Sequence, residues 1–277
     1  MSEEFRVLSD REHVLARAGV YVGSTTCEPI SGIINYEYQT KNVVPALIKC
    51  IEEIFQNSID EYIITDGKFA CNISLDINDT LEGVEIIITD DGRGIPLDKI
   101  DGKYRHILAW TELRAGSNFD DSKRVGAGTN GMGACIVNIF SKTFIGTSCD
   151  GKNKITVSCS DNMQNVDFKF VKSFIRGTSV SFVPDLEKFG LREFTKDHSD
   201  IIIDRFQNLA ILYPGITFKV GHQNVDFKNI KYTSKKFHES AVSYELYKTS
   251  FVFAPSGKDE EFRCLSYVNG IYCKNGG

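Results

Sequence analysis

A segment near the N-terminus carries two carboxylates and an amide at a spacing that could orient a metal ion and a water molecule. Its residues 45–64, PALIKCIEEIFQNSIDEYII, repeat apolar side chains with the period of an α-helix. At about 100° per residue, Glu53, Asn57 and Asp60 share one face, opposite the apolar stripe. A carboxylate suits water activation, and an amide oxygen suits Mg²⁺. Taken alone, such a polar face is more typical of a helix in contact with solvent.

A second segment, VEIIITDDGRGIP at residues 84–96, runs from an apolar strand into two acidic residues and two closely spaced glycines. Asp90 closes the predicted strand, so its side chain can be partly buried, and its carboxylate only accepts hydrogen bonds. Gly92 and Gly94 allow the backbone to lie against a flat ligand or to adopt positive φ. A tight surface turn also explains these glycines, but it does not explain the Ile-Pro pair that follows. We expect Asp91 to be a spacer that faces solvent.

A third segment, GAGTNGMGAC at residues 126–135, is rich in glycine and precedes a predicted helix at residues 133–140. Gly128, Gly131 and Gly133 form the pattern G-x-x-G-x-G, whose backbone N–H groups and following helix could bind phosphate. The preceding residues are polar and do not form a strand, so the dinucleotide-binding βαβ context is missing. The G-K-[ST] ending of a P-loop is missing as well.

Together the three segments predict an ATP site that uses neither of those two motifs. The helix supplies a carboxylate and an amide for a water molecule and a metal ion. The strand end supplies an acceptor and a flat backbone for the base, and the glycine loop supplies donors for the triphosphate. Each segment is ambiguous by itself, so the prediction depends on their combination.

The remaining sequence predicts an α+β fold, in which helices pack on one face of a largely antiparallel sheet. Residues 69–77 and 84–89 read as a hairpin, because both alternate as strands around a polar turn. The other predicted helices are 104–114, 133–140 and 193–213, and the other predicted strands are 142–148, 154–160, 166–171, 178–183, 216–220, 225–230, 249–254 and 262–268.

Composition limits the class of protein. The chain has 277 residues, 42% hydrophobic and 25% charged, with a formal net charge of −5. A chain whose binding depends on DNA phosphates would be basic, so the whole chain is not expected to be a DNA-binding module. The eight cysteines are scattered without a C-x-x-C pair, which indicates reduced thiols. The charged N-terminus and the lack of a long apolar run predict a cytoplasmic protein without a membrane segment.

The combined motifs resemble a known superfamily. E-x-x-x-N-x-x-D, then D-x-G-x-G, then G-x-x-G-x-G is similar to the ATPase shared by DNA gyrase, Hsp90, histidine kinases and the mismatch-repair MutL proteins. Further runs resemble type II DNA topoisomerases, namely RAGVYVGS at 17–24, NSIDE, GTSVSFVPD at 177–185 and the final YVNGIYCKNGG. The run NGMGACIVNIFS is more similar to eukaryotic and T-even-type bacteriophage enzymes than to gyrase, and the whole pattern most resembles the large, ATPase subunit of the T-even-type enzymes.

The resemblance implies a role for each matching residue. Glu53 would be the general base, Asn57 the Mg²⁺ ligand, and Asp90 the acceptor of the adenine amino group. Asp60 and Arg93 would shape the pocket. The other positions implied to line the ATP site are Gly92, Gly94, Ile95, Pro96, Ser117, Asn118, Lys123, Arg124, Gly128, Thr129, Asn130, Gly131, Met132, Gly133 and Thr178, the last placing a hydroxyl near adenine.

Two positions depart from the resembling families. Gyrases carry a lysine where this chain has Asn118, and eukaryotic enzymes carry one where this chain has Cys135. Neutralisation of the phosphate charge would then rest on Mg²⁺, backbone amides and either Lys123 or Arg124. The alternative for that last pair is a charged surface pair in solvent.

The resemblance also implies an architecture and partners. It implies a Bergerat-type sandwich at residues 1–240 with an N-terminal dimerisation arm, and the beginning of a transducer domain, expected to be incomplete, at residues 241–277. The implied partners are a second copy of the chain when ATP is bound, a DNA-cleavage domain or subunit, and duplex DNA. Two other functions stay open: a MutL-like clamp built on the same ATPase, and a nucleotide-binding module with little catalysis of its own.

Overall fold

The computed structural model describes residues 7–113, 132–227, 229–246, 249–255, 264–268 and 271–273. The helices are α1 (Asp10–Ala16), α2 (Ala18–Tyr21), α3 (Pro45–Ile64), α4 (Arg105–Thr111), α5 (Gly133–Ile139), α6 (Lys196–Leu212) and α7 (Ile230–Phe237), with a 3-10 helix at Leu186–Phe189. The strands are β1 (Glu28–Ile34), β2 (Glu37–Val43), β3 (Asn72–Thr80), β4 (Gly83–Asp90), β5 (Lys99–Ile100), β6 (Lys103–Tyr104), β7 (Ser141–Cys149), β8 (Asn153–Ser160), β9 (Asn165–Lys172), β10 (Gly177–Pro184), β11 (Thr217–Val220), β12 (Gln223–Asn224), β13 (Val242–Leu246), β14 (Thr249–Phe253), β15 (Tyr267–Val268) and β16 (Ile271–Tyr272).

An eight-stranded sheet forms the centre of the molecule, in the order β12-β11-β3-β4-β10-β7-β8-β9. Its pairs are antiparallel except for β11 and β3, which run parallel. The predicted hairpin of β3 and β4 is confirmed. Asp90 lies opposite Ile73 on β3 and opposite Thr178 on β10. The end of β4 is therefore in the middle of the sheet, flanked by strands on both sides.

Side chains alternate between the two faces of this sheet, as strand geometry requires. On the inner face, apolar side chains are buried; they are Ile73, Leu75, Ile86, Ile88, Phe144, Ile155, Val157, Val180 and Phe182. Hydroxyl pairs occupy the opposite face, for example Thr89 with Ser179 at 2.8 Å. Only one face can therefore bury helices, which confirms the predicted α+β arrangement.

Helix α3 is the central helix of the covering layer, and its bounds coincide with the sequence prediction. Pro45 stands in its first turn, where the missing backbone N–H has no intrahelical partner to lose. Its buried side includes Leu47, Ile51 and Ile59, while Phe55 packs against Phe206 of α6 with ring centroids 4.9 Å apart. This packing fixes the rotation of α3, and so decides which of its polar side chains reach the sheet.

The sequence prediction was wrong about a strand at residues 225–230. Strand β12 ends at Asn224, and α7 begins at Ile230, where the Asn229 side chain accepts a hydrogen bond from the Tyr232 backbone N–H at 2.8 Å. A six-residue alternating run is compatible with a strand and also with a short loop before a helix. Here the hydrogen bond to the Asn229 side chain stabilises the start of the helix. The hairpin of β1 and β2 was not predicted either.

The other predicted elements lie within a few residues of the observed ones, except that Cys264, Leu265 and Ser266 are not strand. Two small hairpins, β13 with β14 and β15 with β16, follow the main sheet and are not hydrogen-bonded to it. In the part of the chain that the structure describes, no helix combines the length and the apolar character needed to cross a membrane.

An ion pair between a buried arginine and a partly buried glutamate joins α3 to α6. The Nε of Arg205, whose side chain is 3% exposed, lies 3.6 Å from Oε1 of Glu52. Burial raises the pKa of Glu52 to about 7, although the charge of Arg205 lowers it. The folded protein therefore holds a proton on Glu52 at pH values where the unfolded chain has released it.

Replacing Glu52 with glutamine is expected to weaken the dependence of stability on pH. Because the pKa of Glu52 is higher in the folded state, its stabilising contribution is complete below about pH 4.5 and is lost as pH rises towards 7 and above. Thermal unfolding followed by circular dichroism from pH 5 to pH 8 should show a smaller fall in Tm for Glu52→Gln than for the unaltered protein. Glu82→Gln, in the exposed turn between β3 and β4, is the control and should keep the original slope.

Candidate functional site

Glu53 lies on α3 against the first residue of α5. A methyl group added to Gly133 would overlap the Glu53 carboxylate oxygen Oε2, so a side chain at this position would require the Glu53 carboxylate to move. The C-terminal end of the predicted glycine loop is thus in contact with the predicted catalytic carboxylate. Two segments that are 80 residues apart in the sequence meet here, as the three-segment hypothesis requires.

The surroundings of Glu53 make it a stronger base than a carboxylate in solvent. Burial raises its pKa, the nearby Asp60 raises it further, and Lys49 acts in the opposite direction. A general base works best when its pKa approaches the working pH while it remains ionised. The environment of Glu53 therefore suits proton abstraction from water.

Asn57 and Asp60 follow Glu53 along the helix but differ in exposure. Asn57 is exposed one turn after Glu53, so its amide is accessible to a ligand. Asp60 is buried and accepts a hydrogen bond from Gln56 Nε2 at 3.1 Å. Asp60 thus acts on the site through its charge and its packing, rather than as an open acceptor.

Asp90 is held in place by donors from two directions. The Ser58 hydroxyl of α3 donates to its Oδ2 at 2.8 Å, and the Gly92 backbone N–H donates to its Oδ1 at 2.9 Å. Burial raises the pKa of Asp90 to about 6, and these hydrogen bonds lower it. The carboxylate is therefore largely ionised at neutral pH. It has about four lone-pair positions, so it keeps acceptor capacity for a ligand.

Thr178 lies beside Asp90 on the neighbouring strand, and a chain of hydrogen bonds leads from it to the loop after β4. The hydroxyls of Thr178 and Ser148 are 3.1 Å apart, and Ser148 accepts from the Ile95 backbone N–H at 2.8 Å. The loop that contains Ile95 is thereby fastened to the middle of the sheet. Pro96, the next residue, is exposed.

Arg93 points towards α3 and forms a two-point ion pair with Glu61. Its Nε donates to Oε1 at 2.8 Å and its Nη2 donates to Oε2 at 2.9 Å, while the Arg93 backbone N–H also donates to Oε1 at 2.9 Å. Bidentate pairs of this kind fix geometry as well as charge. Arg93 therefore fixes the position of the loop after β4 through its pairing with Glu61.

Asp91 is exposed, as expected, but it is not a mere spacer. Its carboxylate accepts from the Asn72 backbone N–H at 2.8 Å and from the Asn72 side-chain amide at 2.6 Å. These bonds fasten the end of β4 to the start of β3. The two acids of the segment therefore have separate partners, and only Asp90 faces α3.

Gly94 has φ +75°, and a methyl group there would overlap the carbonyl oxygen of Cys149. Glycine is needed for the conformation and for the close approach of two backbones. We expect Gly94→Ala to lower the free energy of unfolding by about 1–3 kcal/mol more than Gly102→Ala, because overpacking adds to the conformational cost. Gly102 is a matched control, since its φ is +83° and nothing lies within 4 Å of its added methyl. Urea denaturation measures both, and equal losses would contradict the close-approach argument.

Most of the predicted glycine loop lies outside the described residues. This applies to the predicted site residues Ser117, Asn118, Lys123, Arg124, Gly128, Thr129, Asn130 and Gly131. Met132 and Gly133 are described and mark the start of α5. Cys135 is buried, and burial raises the pKa of its thiol to about 12. Its side chain therefore faces the core rather than a phosphate.

The donors of the site fit a magnesium ion that takes most of its ligands from phosphate and water. Among the described residues, no group of three His, Cys, Asp or Glu side chains is arranged to hold a metal by itself. Mg²⁺ in nucleotide sites needs only one or two protein ligands. The exposed amide of Asn57, one turn from Glu53, is sufficient for such a site.

Sequence reasoning missed four residues that organise the site: Ser58, Glu61, Asn72 and Ser148. No role was predicted for Ser58 or Glu61, although both lie within the predicted helix at residues 45–64. On the helical wheel Glu61 lies about 80° from Glu53 and Ser58 about 140°, so only Glu61 borders the predicted polar face. Asn72 and Ser148 lie on other strands, and no local pattern marks them.

The fold and this site define a class of protein. Residues 42–188, which include every predicted site residue, match the family of histidine kinase-, DNA gyrase B-, and HSP90-like ATPases. The chain therefore belongs to this ATPase family, whose fold binds nucleotide.

Within the family, the chain is similar to type II DNA topoisomerases. It is 37% identical to the DNA topoisomerase large subunit of Enterobacteria phage T4, over 100% of this chain and 54% of that protein. It is 27% identical to DNA topoisomerase 2 of Saccharomyces cerevisiae, over 100% of this chain and 21% of that protein. The chain thus spans about half and about a fifth of the lengths of these relatives. Its fold matches the crystal structure of the ATPase region of the yeast topoisomerase II with a TM-score of 0.86 and 26% identity, covering 97% of this chain and 75% of that one.

Proposed function

We propose that this chain is the ATP-binding and ATP-hydrolysing part of a type II DNA topoisomerase, in which Mg-ATP drives dimerisation and the dimer clamps and passes duplex DNA. The observation that carries the proposal is the arrangement around α3. One helix presents Glu53 and Asn57, and through Ser58 and Glu61 it also positions Asp90 and Arg93. The likeness to the phage and yeast topoisomerases supports the assignment to DNA topology.

In this proposal, the residues mainly bind and orient the substrate. Asp90 accepts the adenine amino group, and Thr178 places a hydroxyl beside it. Gly92, Gly94, Ile95 and Pro96 lie along the base, while Gly133 and the glycine loop before it face the phosphates. Glu53 orients a water molecule in line with the terminal phosphate and accepts its proton. Positioning of this kind supplies most of the rate enhancement in phosphoryl transfer.

Asn57 would hold the magnesium ion together with oxygens of the triphosphate. When bound, the ion neutralises charge on the phosphates. Glu53 and Asn57 lie one helical turn apart on the same face of α3. The base and the metal ligand are therefore kept at a constant separation by the helix itself.

The partners and location in the proposal follow the topoisomerase likeness. We propose that residues 1–240 form the ATPase domain with an N-terminal dimerisation arm and that residues 241–277 begin a transducer domain. A DNA-cleavage domain or subunit and duplex DNA complete the functional complex. By likeness to the phage relative, the proposed place of action is the host cytoplasm.

The test is ATP turnover and DNA relaxation by the full-length protein assembled with its cleavage subunit or domain. We expect Mg²⁺-dependent ATP hydrolysis and ATP-dependent relaxation of supercoiled plasmid. ATP hydrolysis without any change of DNA topology would favour a clamp ATPase of the mismatch-repair type. Size-exclusion chromatography with light scattering, with and without a non-hydrolysable ATP analogue, tests the proposed dimerisation.

A second candidate function is a nucleotide-binding module with little catalysis. It is favoured by the absence of a lysine at positions 118 and 135, and by the burial of Cys135 at the second of these. It predicts tight binding of ATP with negligible turnover in the full-length protein. The same hydrolysis assay distinguishes the two functions.

A further inference from the structure

A cluster of polar side chains, some buried and some partly buried, lies on the side of α3 that faces α6, separate from the residues proposed to bind nucleotide. We define this Arg205 cluster as Glu52, Asp204, Arg205, Asn208 and Tyr267. The guanidinium of Arg205 donates to Asp204 Oδ2 at 3.0 Å and to the Tyr267 hydroxyl at 2.8 Å, and its Nε pairs with Glu52 at 3.6 Å. Its Nη2 also donates to the Ser31 carbonyl oxygen of β1 at 3.3 Å. Arg205 therefore connects four elements: α3, α6, β1 and the hairpin of β15 and β16.

The hairpin contacts Arg205 with two aromatic rings as well. The guanidinium carbon lies 3.8 Å from the ring centroid of Tyr272 and 5.6 Å from that of Tyr267. A guanidinium at this distance from a tyrosine face is stabilised by the ring quadrupole. Asn208 adds a further link, because its side-chain amide donates to the Tyr267 hydroxyl at 3.0 Å and to Asp204 at 3.0 Å.

The charges of the cluster make Arg205 sensitive to the hairpin. One guanidinium faces two carboxylates, the buried Asp204 and the partly buried Glu52, and desolvation raises the pKa of both, to about 6 for Asp204 and about 7 for Glu52. A buried cation is stable only when its donors are satisfied. If the hairpin left, Arg205 would lose the Tyr267 hydroxyl and the Tyr272 ring together. Docking of the hairpin therefore affects how rigidly the Arg205 guanidinium is positioned against the Glu52 carboxylate.

Glu52 is the residue before Glu53 on α3. Consecutive side chains on a helix point about 100° apart, so one turn presents Glu52 to α6 and Glu53 to Gly133. If Arg205 moves and Glu52 moves with it, this turn of α3 shifts, and Glu53 shifts as well. Catalytic carboxylates lose much of their effect when displaced by about 1 Å.

We infer that Arg205 is a positioning residue for ATP hydrolysis. Through Glu52, it links the docking of the hairpin of β15 and β16 to the helical turn that carries Glu53. The inference rests on the proposed ATPase function. Arg205 does not touch the reacting atoms. It keeps Glu53 in the catalytic position only while the hairpin of β15 and β16 is docked. The rate of hydrolysis and the position of that hairpin are therefore coupled.

A double-mutant cycle on the full-length protein tests the inference at pH 8, where Glu52 is ionised. Glu52→Gln and Tyr267→Phe each remove one polar contact of Arg205 and leave the side-chain shape intact. We expect each to lower kcat for ATP about 5- to 20-fold, the size typical of residues within one network, with the Kd of a non-hydrolysable analogue within about twofold. The double variant should be no slower than about twofold below the slower single variant.

Controls separate positioning from folding. Glu82→Gln and Tyr244→Phe make the same chemical changes at exposed sites on the β3–β4 turn and on β13, and should leave kcat unchanged. Arg205→Lys keeps the charge but not the fork of donors, and should resemble the single variants rather than restore activity. Tm values recorded in parallel show whether all variants are folded at the assay temperature.

Each outcome is decisive. Losses of kcat that multiply in the double variant would overturn the inference, as would an equal loss of analogue binding and turnover. Unchanged kcat with lowered Tm would assign the cluster a structural role only and overturn it as well. If the unaltered protein shows no turnover, the proposed function fails and the inference with it. Turnover with multiplicative losses overturns the inference alone.

Discussion

Replacing Glu53 with glutamine is expected to lower kcat for ATP hydrolysis by about 10²–10⁴-fold, while the Kd for ATP stays within about threefold. Glutamine has almost the same shape but cannot accept the proton of the attacking water. Burial raises the pKa of Glu53, Lys49 lowers it and Asp60 raises it, and the net shift is upward, in the direction that favours a general base. Single-turnover hydrolysis and fluorescence titration with an ATP analogue measure the two quantities separately.

The control for this change is Glu82→Gln, which alters a carboxylate in an exposed turn and should leave both constants unchanged. An equal loss of binding and turnover in Glu53→Gln would contradict a role as base and would indicate a role in binding. Retention of more than a tenth of the turnover would show that another group orients the water.

Replacing Asp90 with asparagine is expected to weaken ATP binding about 10- to 100-fold and to narrow the preference for ATP over GTP. A hydrogen bond to a charged partner contributes about 1.5–3 kcal/mol, and 1.4 kcal/mol corresponds to a tenfold change. The carboxylate only accepts, so it favours the adenine amino group and repels the guanine carbonyl oxygen. An asparagine side chain presents a donor as well, so this repulsion is relieved. Competition titrations with ATP and GTP against a fluorescent analogue measure the effect.

Asp79→Asn, in an exposed position at the end of β3, is the matched control and should bind both nucleotides as the unaltered protein does. Because Ser58 and Gly92 donate to Asp90, thermal unfolding must accompany the titration to establish that the variant is folded. GTP competing as well as ATP for the unaltered protein would falsify the assignment of Asp90 to the base.

The sequence predicted the elements that bear the proposed site residues better than the residues that hold those site residues in place. Helix α3 was predicted at its observed bounds, because a long amphipathic period with proline in the first turn has few alternatives. Asp90 was placed at the end of a strand, since the apolar run before it stops there. Both inferences use periodicity along one segment, which is what a sequence records directly.

The residues that hold the site in place act through contacts between distant segments, and the periodicity of one segment does not record such contacts. Ser58 reaches Asp90, and Glu61 reaches Arg93, across 32 residues of sequence in each case. A helical wheel shows which way these side chains point but not what they meet. The strand predicted at residues 225–230 failed for a related reason, because the alternation there was too short to exclude a cap and a helix.

The hydrogen bonds from α3 to the loop after β4 have a consequence for the redesign of this site. Ser58 and Glu61 lie on the two turns that follow Glu53, so the helix that carries the proposed base also sets where the proposed adenine acceptor and its loop lie. Nucleotide preference and the rate of hydrolysis therefore cannot be changed independently of each other. An engineer who wants this scaffold to accept a different base has to begin by reshaping the helix, and has to expect the rate to change with it.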